Sequence, residues 1–248
     1  LFGTLADEMT GAGTLGVWRT DTWAQVDALP TRGIGPHEVR LMPDGRTLVV
    51  ANGGLLTRPE TGREVLNLET MDSSLVFVDS TSGEVTEQSR LDVPKASLRH
   101  LDVTDDGVVV VGAQIQRDVV GHDDVLPLVA AHRPGTGLVA FETPELVAAM
   151  ADYVGSVALS SRSRIAATSS PRGNLVLFWD VDRGEIVGRH AFSDVSGLAV
   201  DEQRARFVLS NSFGQVRTLD AFTLAEDDGA RRDFDDVRWD NHLTLVTS

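Results

Sequence analysis

Short apolar runs separated by tight polar turns recur along the chain, and one unit repeats. It consists of an apolar run, a polar turn, a second run, a loop, a third run ending in Asp, another turn and a fourth run. In the clearest copy the first run is 37–42, Pro43-Asp44-Gly45 turns it, and the second run is 47–51. The third run, 75–79, follows a long loop, and Ser82-Gly83 leads into 84–91. A second copy has runs at 98–103, 108–113 and 126–131, and a third at 154–159, 165–168, 175–180 and 185–192. A fourth has runs at 195–200, 206–210 and 216–220, then a more polar stretch. Asp-Gly pairs between β-rich runs signal hairpins, because Gly accepts positive φ. Val108 to Val111 is apolar at successive positions, as suits a strand covered on both faces. A two-sheet sandwich leaves one face of each strand exposed and gives cleaner alternation. Radially stacked four-stranded sheets cover both faces, so the pattern predicts an all-β fold, a β-propeller of four-stranded blades. Gly155, Gly197 and His242 recur at the roughly 40–50-residue period of a blade.

The expected organisation is a single propeller domain over 1–248, with four complete blades between Gly33 and about Asp235. Partial blades are expected at both ends, from runs at 1–6, 15–18 and 23–29 and from 237–246. One connecting helix is expected, with Thr143 as cap, Pro144 in the first turn and Leu146, Met150 and Tyr153 on one face. The chain opens at Leu1 inside a strand pattern, with neither a basic n-region nor a signal h-region. The expectation is therefore a truncated larger ring, with a five-bladed closed ring as the alternative.

Composition narrows the partners. The net charge is −15, from 37 acidic and 22 basic residues, and Lys95 is the only lysine. That field repels a phosphate backbone, and the arginines are scattered rather than clustered, so neither nucleic acid nor anionic membrane is expected as a partner. No run approaches the roughly 18 apolar residues of a membrane helix, and membrane insertion is not expected. Without cysteine, disulfides and thiolate metal sites are excluded.

Several strings resemble a known family. They are Gly33-Ile34-Gly35-Pro36-His37-Glu38, the stretch 43–54 ending Ala51-Asn52-Gly53-Gly54, and Leu66-Asn67-Leu68-Glu69-Thr70-Met71. Leu98-Arg99-His100-Leu101, Tyr153-Val154-Gly155-Ser156-Val157-Ala158, Ser169-Ser170-Pro171-Arg172-Gly173 and Trp239-Asp240-Asn241-His242-Leu243 belong with them. Together, over almost the whole chain, they resemble an uncharacterised family of exported bacterial propeller proteins known as a domain of unknown function. The resemblance implies a seven-bladed ring with about five blades present here, and a twin-arginine export signal upstream. It also implies a periplasmic location and genes beside those of iron-uptake, imelysin-like and peroxidase-like proteins. It implies no catalytic mechanism.

In a propeller the loops entering each first strand, and those joining second and third strands, share one face. His37-Glu38, Arg99-His100 and Asn241-His242 open first strands, while Asn52, the 114–124 segment and Arg172 follow second strands. A ligand-binding rim of His37, Glu38, Asn52, Arg99, His100, Arg172, Asn241 and His242 is the expectation. Within it His37, Glu38, His100 and His242 are a candidate iron or zinc set, since imidazole and carboxylate suit both metals. The competing reading is that these residues tie neighbouring strands by hydrogen bonds. Gly11-Ala12-Gly13-Thr14-Leu15-Gly16 matches a dinucleotide fingerprint, but a strand follows it rather than the helix that would hold a pyrophosphate. His37-Glu38 is not a zinc-protease start, because Leu41 stands where the second His belongs. Arg172 after Pro171 can grip an anion bidentately. Three functions remain open: a periplasmic binding or accessory protein associated with iron uptake and its protein partners, a metal-dependent hydrolase or lactonase, and a protein-docking scaffold.

Overall fold

The computed structural model describes residues 1–62, 64–120 and 124–246. They form five antiparallel sheets, built in chain order. The first has three strands, β1 (Phe2–Ala6), β2 (Ala12–Trp18) and β3 (Gln25–Ile34). Four sheets of four strands follow. They are β4 (Pro36–Leu41), β5 (Thr47–Asn52), β6 (Ser74–Asp79), β7 (Val85–Ser89); then β8 (Ala96–Val103), β9 (Val109–Ile115), β10 (Val129–Arg133), β11 (Gly137–Ala140). Next come β12 (Ser156–Ser160), β13 (Ile165–Ser170), β14 (Leu175–Asp180), β15 (Glu185–Ala191); and β16 (Val195–Asp201), β17 (Arg206–Asn211), β18 (Gln215–Asp220), β19 (Arg232–Asp233). The first strands β4, β8, β12 and β16 pack in succession, so the sheets line up side by side around a shared inner face.

The turns follow from the sequence unit. Asp79, Asp180 and Asp220 each end a third strand, and each side chain accepts the backbone N–H groups two and three residues on. That local bonding competes with further strand and reverses the chain. The central sheets are covered on both faces: Val109, Val110 and Val111 of β9 are fully buried, as are Phe178 of β14 and Phe207 of β17. Carboxylates join neighbouring sheets. Asp102 on β8 accepts the Leu159 N–H of β12 at 2.9 Å, and Glu202 accepts the Ser161 N–H at 2.5 Å.

Two expectations are corrected. The connector is a 3-10 helix, Glu145–Met150, whose buried side chains are Val147 and Met150. It ends in consecutive left-handed residues, Ala151 and Asp152, which send Tyr153 out of the helix. Residues 237–246 form no strand; they contribute Leu245 and Val246 to a groove beside 200–204. The last sheet takes its fourth strand from the two-residue β19 instead. No helix among the described residues is long and apolar enough to cross a membrane.

Candidate functional site

The site forms where two inner strands begin irregularly. The register slips between Pro36 and Glu38 in β4–β5, and between Leu98 and Leu101 in β8–β9. A bulge takes residues out of the ladder and re-aims their side chains. The residues released are His37 in one sheet and Arg99 and His100 in the next, and all three line one cavity of about 540 Å³. Gln114 and Gln116 enter it from the end of β9, Tyr153 from beyond the 3-10 helix, and Arg172 from the β13–β14 turn. Asn241 and His242 reach it from the C-terminal segment.

The loop after β5 closes a further side with Leu55 and Thr57. Its base requires Gly54, at φ +74°, because a Cβ there would stand 2.6 Å from the Asp72 carbonyl carbon. Asn67 braces the same loop, accepting the Leu56 N–H at 2.7 Å and donating to the Gly54 carbonyl at 2.8 Å. Lys95 adds bonds from its ammonium group to the Leu68 and Glu69 carbonyls.

Three imidazoles sit together. The His37 and His100 ring centroids are 4.7 Å apart at 88°, and those of His100 and His242 are 4.8 Å apart at 54°. Arg99 lies 3.1 Å from His37 Nε2 through Nη1. A guanidinium only donates, so His37 Nε2 accepts and the neutral ring carries its proton on Nδ1. Desolvation by the channel wall, then repulsion from His100, Arg99 and His242, pushes the His37 pKa down to about 3. His37 is nonetheless solvent-exposed as a residue. His242 is lowered as well, first by burial and then by His100, against opposing pulls from Glu38 and Asp240. His100 is 4% exposed, and its Nδ1 lies 3.1 Å from Glu38 Oε2.

The cavity wall is rich in donors. Arg99 Nε and Gln116 Nε2 are buried and have no hydrogen-bond partner. Burial also draws the Arg99 guanidinium below its ordinary value, an effect that Tyr153 offsets and Arg172 reinforces. The Arg172 guanidinium stands 4.7 Å over the Tyr153 ring. Among the described residues, neither arginine has a carboxylate partner, whereas Arg40, Arg90, Arg164 and Arg217 all do.

Of the eight expected rim residues, six line the cavity: His37, Arg99, His100, Arg172, Asn241 and His242. Glu38 stands behind His100. Asn52 is fully buried and serves the fold, donating to the Thr31 carbonyl at 3.2 Å and to Ser74 Oγ at 3.3 Å. For the expected metal set His37, Glu38, His100 and His242, the surroundings show other partners. Among the described residues no three His, Asp or Glu side chains are arranged to hold a metal ion. Glu38 already engages His100 Nδ1, and a fixed guanidinium occupies the lone-pair direction of His37 Nε2. The 114–124 segment is described except at 121–123, which lie outside the described residues. Sequence reasoning places Gln114 and Gln116 on the rim only as part of the 114–124 segment and does not single them out; the available signal is this polar pair interrupting an otherwise buried strand end.

Sheets packed through their inner strands around a polar cavity define a propeller-like protein, and the comparisons agree. The structure is similar to hydrazine synthase of Kuenenia stuttgartiensis, with a TM-score of 0.65 and 17% identity over 90% of this chain and 68% of that one. It is also similar to a chain of the mitotic checkpoint complex, with a TM-score of 0.64 and 14% identity over 95% of this chain and 62% of that one. Identities this low carry the fold alone. No curated protein matches the sequence. Residues 1–246 match the family described as "Protein of unknown function (DUF1513)", and the chain belongs to that family.

Proposed function

We propose that this chain is a binding propeller whose inner cavity takes a small, acceptor-rich oxyanion between Arg99 and Arg172. The observation that carries the reading is the surplus of donors. Two guanidinium groups without carboxylates line one cavity of a chain with net charge −15, and Arg99 Nε and Gln116 Nε2 are buried there without acceptors. Buried donors left unpaired are costly, and a ligand oxygen that pairs them recovers that cost on binding. Arginine also matches carboxylate and phosphate oxygens in a fork geometry.

The exported, periplasmic setting, the seven-bladed ring and partnership with iron-uptake proteins, all implied by the family resemblance, belong to the same proposal. They join it through chemistry: a ferric polycarboxylate complex is itself an oxyanion. Calorimetric titration with phosphate, citrate, ferric citrate and zinc chloride tests the reading. Binding of at least one of the anions, with none for bare zinc, is expected. Zinc binding without anion binding overturns it and restores the metal reading.

A further inference from the structure

We propose that Glu38 and His100 make this cavity a general-base site, which hydrolyses small esters or lactones carrying a carboxylate. The inference rests on the oxyanion reading and adds a reaction to it. Glu38 is fixed by three donors. Its Oε2 accepts the Leu101 N–H at 3.2 Å and lies 3.1 Å from His100 Nδ1, while Arg40 Nη2 lies 2.7 Å from its Oε1. A carboxylate held this way accepts from Nδ1–H and leaves the lone pair of the neutral imidazole on Nε2. Among the described residues no hydrogen bond engages Nε2, and His100, 4% exposed between the His37 and His242 rings, borders the cavity. Carboxylate-oriented imidazole with its second nitrogen open to substrate is the arrangement general-base catalysis uses.

The neighbouring groups fill the remaining roles. Arg99 fixes His37 as a neutral ring with its proton on Nδ1, a donor rather than a second base. Arg99 and Arg172 offer one cation for the substrate carboxylate and one for the oxyanion that forms during reaction. Among the described residues neither Ser nor Cys lines the cavity, and in this proposal water attacks the acyl carbon directly. His100 Nε2 takes a proton from the water as its oxygen bonds to the acyl carbon, and the carbonyl pair moves onto the carbonyl oxygen. Collapse reforms the carbonyl and breaks the bond to the leaving oxygen, which receives the proton from His100. Ester and water give acid and alcohol, with no change of oxidation state. His100 is the catalytic residue and Glu38 a positioning residue.

The test uses mono(4-nitrophenyl) succinate, an anionic chromogenic ester, with neutral 4-nitrophenyl acetate as the control. The whole chain is expected to hydrolyse the succinate ester in preference to the acetate. His100→Gln is expected to lower the rate about 100-fold or more, within the usual range for a general base. Added imidazole should restore turnover to His100→Ala. Glu38→Gln should lower kcat and shift the acid limb of the pH–rate profile with KM little changed, an effect a purely structural brace does not produce. Calorimetry with succinate, and melting of each variant, run alongside. Succinate binding without turnover of the ester, or turnover unchanged in a folded His100→Gln protein, overturns the general-base proposal and leaves the oxyanion reading intact. Absence of both binding and turnover overturns both.

Discussion

Replacing Arg172 with Leu is expected to weaken oxyanion binding about 10- to 100-fold, and replacing Arg99 and Arg172 together should abolish measurable binding. Charge-assisted hydrogen bonds contribute roughly 1.5–3 kcal/mol each, and every 1.4 kcal/mol is a factor of ten in affinity. Arg172 sits on a turn, over the face of Tyr153, and holds no carboxylate among the described residues. Its removal leaves no buried acid without a partner, so the fold should tolerate it. Arg99 is half-buried and bonded to His37, so Arg99→Leu should lower affinity and also free the His37 ring. Calorimetric titration with citrate reads both effects. Affinity unchanged in Arg172→Leu would remove that residue from the site.

The largest loss of stability is expected at Phe178. Its ring is fully buried on β14, 5.4 Å by centroid from Phe207 on the neighbouring sheet, within a cluster that includes Val176, Leu198 and Leu209. Phe178→Ala removes a contact that joins two sheets and leaves a void. The cost is about 3–5 kcal/mol, as for other aromatic truncations in packed cores. Urea unfolding should show a lower midpoint. Phe213→Ala, at a 55% exposed position, should move the midpoint little. A comparable midpoint for Phe178→Ala and the parent would mean that the two sheets do not depend on this contact.

The sheets were legible in the sequence because a strand covered on both faces cannot alternate. The Val108 to Val111 run, and the Asp ending three of the third strands, state the repeat and its turns. The short outer strands were less legible. Two-residue β19 (Arg232–Asp233) carries no apolar side chain and β11, though apolar, is only four residues long, so the pairing of both is set by the sheet they join rather than by their own pattern. The run 237–246 is expected from sequence to be a strand, but it finds no ladder partner, and its Leu245 and Val246 rest against the end of β16.

The site was legible as a set and not as an arrangement. Six of eight rim residues line one cavity: His37, Arg99, His100 and Arg172 because strand starts and second-to-third-strand turns share a face, and Asn241 and His242 although the C-terminal segment that carries them forms no strand. What sequence could not supply was the pair of bulges that turn His37, Arg99 and His100 inward, since a bulge leaves no fixed residue signature there. Asn52 was misread for a related reason: it ends β5 one residue before the loop that does reach the cavity, so its amide stays inside the sheet. Arg99 also changed the chemistry, because its guanidinium sits where a metal ion would compete for His37.

The pH dependence of sulfate binding tests the central claim most directly, because sulfate keeps its charge throughout the range used. His37 and His242 are held neutral first by desolvation, then by mutual repulsion among the three imidazoles and by the permanent charges of Arg99 at His37 and Arg40 at His242, with Glu38 and Asp240 opposing at His242. A bound anion adds negative charge beside these rings and raises their pKa values, so binding takes up protons. Sulfate affinity should therefore rise as pH falls from about 7 toward 5, with proton uptake seen when titrations are repeated in buffers of different ionisation enthalpy. A metal site behaves oppositely, since protonated imidazoles release metal and binding weakens as pH falls. Sulfate affinity that falls with falling pH would contradict an oxyanion site at Arg99 and Arg172.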